Sequence, residues 1–349
     1  MGDISRPWDG IIGQPKAVSL LQSAMGAPVH AYLFLGPDGV GKRDCAHIFT
    51  AGLLSSGFTA PNSERVLRLA ETEQLADLVV IEPEGRQLLS AEAKRAIYEA
   101  GQPPVEWYRK VVLIDRFHTA TPEAAASLLK IVEEPPAATI MVLLAREIPK
   151  EHVTIASRCV TVQFSSLRPE DISAWLVSQS LTDENHAEVL ARAAGGSQRR
   201  AQLLATDEGF DRRHSFWQQA PSRCGTTGAD ACALTSELQG MLEEALKPVV
   251  AEHDHQIAEE REMETQFHIR VGDRKAREAR QRRELRHFRE EELRWGFSVL
   301  AETYKSDSGY GSVISEVMER LREVQTELIR NPNETLMLQN LFRNLPRVR

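Results

Sequence analysis

Residues Gly36-Pro37-Asp38-Gly39-Val40-Gly41-Lys42-Arg43 fit the GxxxxGK spacing of a phosphate-binding loop. Gly36, Gly39 and Gly41 let backbone N–H groups close around a phosphate, and a helix starting at the loop adds positive potential. Lys42 is placed to reach the β- and γ-phosphates. The next position should be Ser or Thr, whose hydroxyl ligates Mg²⁺. It is Arg43, and a guanidinium donates hydrogen bonds but coordinates no cation. Asp115, ending the apolar run KVVLID, is the acid expected to help hold Mg²⁺. Arg116 follows it, where a water-activating Glu commonly sits. Both positions that hydrolysis needs therefore carry positive charge. Two readings stay open: a loop that holds ATP or ADP without turnover, and a loop kept only as a turn.

Positioning such a loop takes a strand before it and a helix after it. AYLFLG (31–36) and the apolar pattern Cys45, Ile48, Phe49 supply them. DLVVIEP (77–83), KVVLID (110–115), TIMVLLA (139–145) and CVTVQF (159–164) read as four further strands, with helical patterns such as 121–134 between them. Continuous apolar strands alternating with helices predict a five-stranded parallel sheet covered on both faces.

Three short helices are expected over 168–206. Pro169 with Glu170 and Asp171 opens the first, and Gly195-Gly196-Ser197 ends the second and caps the third. Beyond 207 the strand signal is gone. APSRCGTTG (220–228) reads as a loop. Leu234, Leu238, Met241, Leu242, Ala245, Leu246 and Val249 recur at helical spacing. So do Leu293, Phe297, Leu300 and Tyr304, and the seam Ile314, Val317, Leu321, Val324, Leu328. Residues 252–294 hold 11 Lys/Arg against 12 Asp/Glu, which reads as a solvated helix. His253 and His255 in it are expected to face solvent.

The chain has 349 residues, 42% hydrophobic and 26% charged, which excludes collagen-like, mucin-like and wholly disordered classes. No apolar run has the length of a membrane span, and the opening MGDISRPWDG lacks the pattern of a secretory signal, so no membrane partner is expected. The formal charge of -8 disfavours strong independent binding to nucleic acid. Cys45, Cys159, Cys224 and Cys232 form no CxxC pair, so no disulfide framework and no metal site is predicted, and a reducing cytoplasmic setting fits.

Taken together, IIGQ (11–14), HAYLFLGPDGVGK (30–42), VVLIDRFH (111–118), SLLKIVEEPP (127–136), SRC (157–159) and GGSQR (195–199) resemble the AAA+ clamp-loader subunits of bacterial DNA polymerase III. The delta-prime type is the nearer match, and the ATP-hydrolysing gamma/tau motor type is the alternative. The resemblance covers roughly the first 200 residues. In it, SRC follows a strand, and the LLKxxEEPP helix and SRC are the specific marks.

The resemblance implies an α/β plus all-α chain: a P-loop AAA+ core over 1–166, a helical lid over 167–207 and a C-terminal helical collar over 208–349. It implies a hetero-pentamer with delta and gamma/tau subunits that loads a sliding clamp on primed DNA. In such a ring each ATP lies between neighbours, and Arg158 matches the arginine finger given in trans. Arg199 matches the sensor-2 arginine, which here either contacts nucleotide or pairs with an acid. Sensor 1 falls near Ala145 or Arg146, where active relatives carry Thr or Asn. Glu133 and Glu134 are structural or interfacial in this reading. Many relatives carry a four-cysteine zinc module; residues 52–78 have no cysteine, so no zinc is expected. No intrinsic activity is expected. Any nucleotidyltransferase label belongs to the DNA-directed DNA polymerase holoenzyme as a whole.

Overall fold

The structure, a computed structural model, describes residues 6–55, 63–85, 87–224, 227–267, 274–306, 314–329 and 333–346. The chain divides into two compact units, Met1–Gln202 and Leu203–Arg349.

The first unit is built on five parallel strands: β1 (Ala31–Leu35), β2 (Leu78–Ile81), β3 (Lys110–Ile114), β4 (Thr139–Ala145) and β5 (Val160–Gln163). They lie in the order β2-β3-β4-β1-β5. All five sequence-predicted strands are therefore present. The continuous apolar runs of β3 and β4 have the reason expected, because every residue of both is buried; the edge strand β5 departs from it, with only Val162 buried. On one face Leu33, Val112, Ile114, Met141 and Leu143 pack with alanines of α4 (Ser90–Gly101) and with Leu128 and Val132 of α5 (Pro122–Glu133). Alternation sends Tyr32 and Phe34 to the other face, where both meet Phe49 of α2 (Lys42–Leu54). Helix α5 starts where its sequence says it should: Pro122 is at its first turn, and the Thr121 side chain accepts from the Ala124 N–H at 3.3 Å.

Helices α7 (Pro169–Ser178), α8 (Glu184–Ala193) and α9 (Gln198–Ala205) follow. Gly195 and Gly196 have φ of 60° and 86°, the left-handed geometry that ends α8. The Ser197 hydroxyl then accepts from the Arg200 N–H at 3.2 Å and caps α9.

In the second unit, α10 (Phe210–Arg223), α11 (Gly228–Ala245), α13 (Arg274–Ser306), α14 (Ile314–Ile329) and α15 (Glu334–Asn344) share one core. The 293–304 stripe is buried there. From the later seam, Val317, Leu321, Val324 and Leu328 are buried within the same unit. Arg213 is buried too, paired with Asp207 and Glu292, so its charge is compensated from two sides.

Two expectations change. Residues 220–223 are the last turn of α10, not loop. Ala220 and Pro221 are buried beside Phe216 and Trp217, and the missing N–H of Pro221 costs one bond near a helix end while its ring adds to the core. Second, His253 does not face solvent. It is buried on α12 (Lys247–Phe267), with its Nε2 2.9 Å from Glu284 of α13; His255 is exposed.

Candidate functional site

The phosphate-type loop leaves β1 at Gly36, whose N–H donates to the Ala145 carbonyl at 3.1 Å. A Cβ at Gly36 would lie 2.3 Å from the Phe164 carbonyl oxygen, so this close backbone approach admits only glycine. Lys42 is buried at the start of α2. Its Nζ donates to the Gly36 carbonyl and, at 2.7 Å, to that of Pro37, with Asp38 Oδ1 at 3.4 Å. Burial pushes the Lys42 pKa down and Asp38 works against it. Gln14, from the IIGQ segment, donates to the Ser165 carbonyl at 2.6 Å and accepts from the Ser165 N–H at 3.1 Å. The start of α9 closes on the loop: the Gln198 N–H donates to the Gly39 carbonyl at 3.0 Å. At Gly39 (φ +72°) a Cβ would lie 2.0 Å from Ser197 Oγ.

Arg43 lies at the centre of three carboxylates. Its Nη1 donates to Asp115 Oδ2 at 2.9 Å and its Nε to Glu73 Oε1 at 2.9 Å, and its Nη2 pairs with Glu73 and, at 2.6 Å, with Glu82 Oε1. These acids come from the turn after α3 (Ser63–Glu71), the end of β2 and the end of β3. Neighbouring parallel strands end on one sheet edge, which places Glu82 beside Asp115. Burial opposes the charge on Arg43, but Glu82, Glu73 and Asp115 outweigh it and hold its pKa well above the usual range. Burial also raises the Asp115 pKa, against the pull of Arg43. His47 Nε2 adds a contact to Glu73 Oε1 at 3.2 Å. A guanidinium thus stands among the acids that a Mg²⁺ ion would need, and an arriving ion would meet a fixed like charge. The residues present do not fit a resident Mg²⁺.

Around this cluster the charge is positive. The Arg116 N–H donates to Asp115 Oδ1 at 2.7 Å, with Arg116 itself at φ 50°. Arg146 follows β4, its Nε 3.7 Å from Asp38 Oδ2 and its N–H donating to His118 Nδ1 at 3.2 Å. Burial, helped by Arg146, Arg116 and Lys42 and opposed by Asp38, lowers the His118 pKa to about 4. His118 is therefore neutral at neutral pH, with Nδ1 an acceptor.

Arg158 makes none of its bonds to the loop. It is exposed just before β5, after the short helix α6 (Val153–Ala156). The SRC tripeptide therefore comes after β4 and α6 in the chain and leads directly into β5. The Arg158 Nε pairs with Glu133, the last residue of α5, and its Nη1 donates to the Thr154 carbonyl at 2.7 Å and contacts Ser157 Oγ at 3.4 Å. Arg199 is exposed on α9, while its neighbour Arg200 is buried and donates to the Ala193 carbonyl at 3.0 Å.

Glu73 and Glu82 are site residues that motif spacing does not reveal, and His118 closes the VVLIDRFH segment with no role assigned to it from sequence. Only Glu82 left a signal, as an acid just past an apolar strand. Among the described residues no group of His, Cys, Asp or Glu is arranged to hold a metal ion, and no helix is long and apolar enough to cross a membrane. Burial pushes the thiols of Cys159 and Cys224 up to about 12, which keeps them protonated.

Residues 13–168 match the family model described as DNA polymerase III, delta subunit. The chain is 30% identical over 199 residues to DNA polymerase III subunit delta' of Bacillus subtilis, covering 56% of this chain and 60% of that one. It is 32% identical over 209 residues to DNA polymerase III subunit tau of Escherichia coli, covering 57% of this chain and 32% of that one. It therefore spans less than two thirds of either relative's length. Among solved structures, a DNA polymerase III gamma-subunit-related protein from Thermotoga maritima is similar over 94% of this chain and 99% of its own. That likeness, with a TM-score of 0.50 at 17% identity, is one of fold. The five-stranded parallel sheet and the helices after it are what this likeness of fold covers.

Proposed function

We propose that the chain carries the AAA+ module of the DNA polymerase III clamp-loader subunits and acts as a delta-prime-like subunit that does not hydrolyse ATP, a reading supported by the family-model match and the delta' and tau relatives. In this reading residues 1–166 form the core, 167–207 the lid and 208–349 a collar that holds the chain in a cytoplasmic hetero-pentamer with delta and gamma/tau subunits. The complex places a sliding clamp on primed DNA. This chain works through its neighbour, offering Arg158 to a nucleotide held on the adjoining P-loop, where a fixed cation stabilises charge in phosphoryl transfer. The observation that carries the reading is the Arg43 guanidinium among Glu73, Glu82 and Asp115. It takes the place of the metal-binding hydroxyl and neutralises the acids at once. The exposure of Arg158 agrees with it. Arg199 either contacts nucleotide or pairs with an acid.

A second reading, the motor type, is favoured by one observation: tau subunits match this chain at the same level as the delta' subunit. One pair of assays separates them. Purified chain with Mg²⁺–ATP, primed DNA and clamp is expected to release no phosphate; turnover that disappears in Lys42→Ala would establish the motor reading. In the reconstituted loader, Arg158→Ala is expected to slow the facing site about a thousandfold, with assembly unchanged. Unchanged ATPase and clamp-loading rates would reject the trans role.

A further inference from the structure

Arg158 is held before any neighbour arrives. Its Nε is paired with the Glu133 carboxylate, and its Nη1 is bonded to the Thr154 carbonyl at 2.7 Å and reaches Ser157 Oγ at 3.4 Å. These contacts fix the guanidinium plane from two sides, and none of them uses Nη2. The side chain remains 36% exposed. The anchors differ in kind. Thr154 and Ser157 belong to the short segment that carries Arg158 itself, whereas Glu133 ends α5, whose Leu128 and Val132 are buried against the sheet. Glu133 is thus the contact that ties the arginine to the rigid core rather than to its own turn. Glu134, beside it, is the helix cap, and its backbone N–H donates to the Lys130 carbonyl. The end of α5 is therefore fixed in place by its own hydrogen bonding.

We propose that Glu133 is a positioning residue for Arg158, holding Nε so that the Nη2 edge is presented to a phosphate oxygen of a nucleotide bound by the neighbouring subunit. This rests on the trans role of Arg158 given above. A free arginine side chain samples many rotamers, and immobilising it at the moment of reaction costs part of what the new contact supplies. Glu133 makes that immobilisation part of the folded chain, so the cation meets the charge that develops in the transition state already aligned. The hydrogen bond to Nε does the aligning. The negative charge of Glu133 works the other way, since it partly offsets the cation that the phosphate sees.

The test uses the full-length chain reconstituted with its loader neighbours and measures steady-state ATPase under clamp and primed DNA. Four variants are compared: Arg158→Ala, Glu133→Ala, Glu133→Gln and the double variant Glu133→Ala with Arg158→Ala. Glu133→Ala is expected to lower kcat at the facing site roughly tenfold with KM for ATP unchanged, because ATP is bound by the neighbour's loop and only the alignment is lost. Glu133→Gln keeps an acceptor for Nε, so it is expected to retain wild-type kcat to within about twofold. The double variant is expected to match Arg158→Ala alone, since Glu133 acts through the arginine. A merely structural role would lower activity further in the double variant and would shift thermal melting of the purified chain. A normal or raised kcat in Glu133→Ala, with Arg158→Ala impaired, overturns the positioning role and leaves the trans role standing. An unimpaired Arg158→Ala overturns both, so the two failures are told apart.

Discussion

At residue 43 one substitution type changes what a pocket can do. A hydroxyl there would offer a lone pair to a metal; the guanidinium offers five N–H donors and a fixed charge. It converts a cation site into a closed ion-pair cluster with Glu73, Glu82 and Asp115. The positive surroundings have a consequence at His118, whose pKa is lowered to about 4 from 6.5, first by burial and then by Arg146, Arg116 and Lys42. The fold favours the neutral imidazole. Its contribution to stability is complete above the unfolded value of 6.5 and is lost as pH falls through the folded value of about 4. His118→Gln keeps an acceptor for the Arg146 N–H but cannot titrate. We expect the fall in urea midpoint between pH 7 and pH 5 to be smaller in this variant than in the wild type; equal falls would show that His118 does not titrate as described.

Helices, strands and their crossings decide where such residues can stand. Strands β3 and β4 were legible because burial on both faces demands unbroken apolar runs, whereas β5, exposed at three of its four residues, was legible from its β-branched Val-Thr-Val and its shortness. The end of α10 was not legible, because Ala-Pro-Ser-Arg carries a loop composition and only the burial of Ala220 and Pro221 beside Trp217 makes it helix. The crossing of α10 and α13 is set by another position with no signal. At Gly296 a Cβ would lie 2.0 Å from Trp217 Cε2, and Trp217 is itself fixed edge-on to Phe297 at 5.7 Å. Gly296→Ala would raise helix propensity by about 1 kcal/mol, but the overpacking it forces costs about 1–3 kcal/mol. A net loss is expected, read as a lower urea midpoint with an unchanged m-value. A midpoint equal to or above the wild type would mean that the indole moves aside without strain.

The whole molecule is two compact units with different kinds of core. The first is a sheet whose strand ends gather loop, acids and arginines on one edge. The second is a helix assembly with its own apolar centre and a buried Arg213–Asp207–Glu292 cluster. The division of labour proposed above gives the second unit the task of assembly. Removing residues 208–349 is therefore expected to abolish co-purification with the other loader subunits. Retained assembly by residues 1–207 would place the interface in the first unit instead.

Sequence alone determined the five strands, the loop after the first of them, and the two arginines standing where a hydroxyl and a carboxylate belong. Each of these is a local property, set by residue type, spacing and the need of buried strands to be apolar. The seat of the Arg43 charge was decided only by tertiary structure. Glu73 and Asp115 lie 30 and 72 residues from it along the chain; the first is brought in by the turn after α3 and the second by the end of β3. Coulomb attraction depends on distance in space, so the change from metal pocket to ion-pair cluster exists only once the sheet has formed.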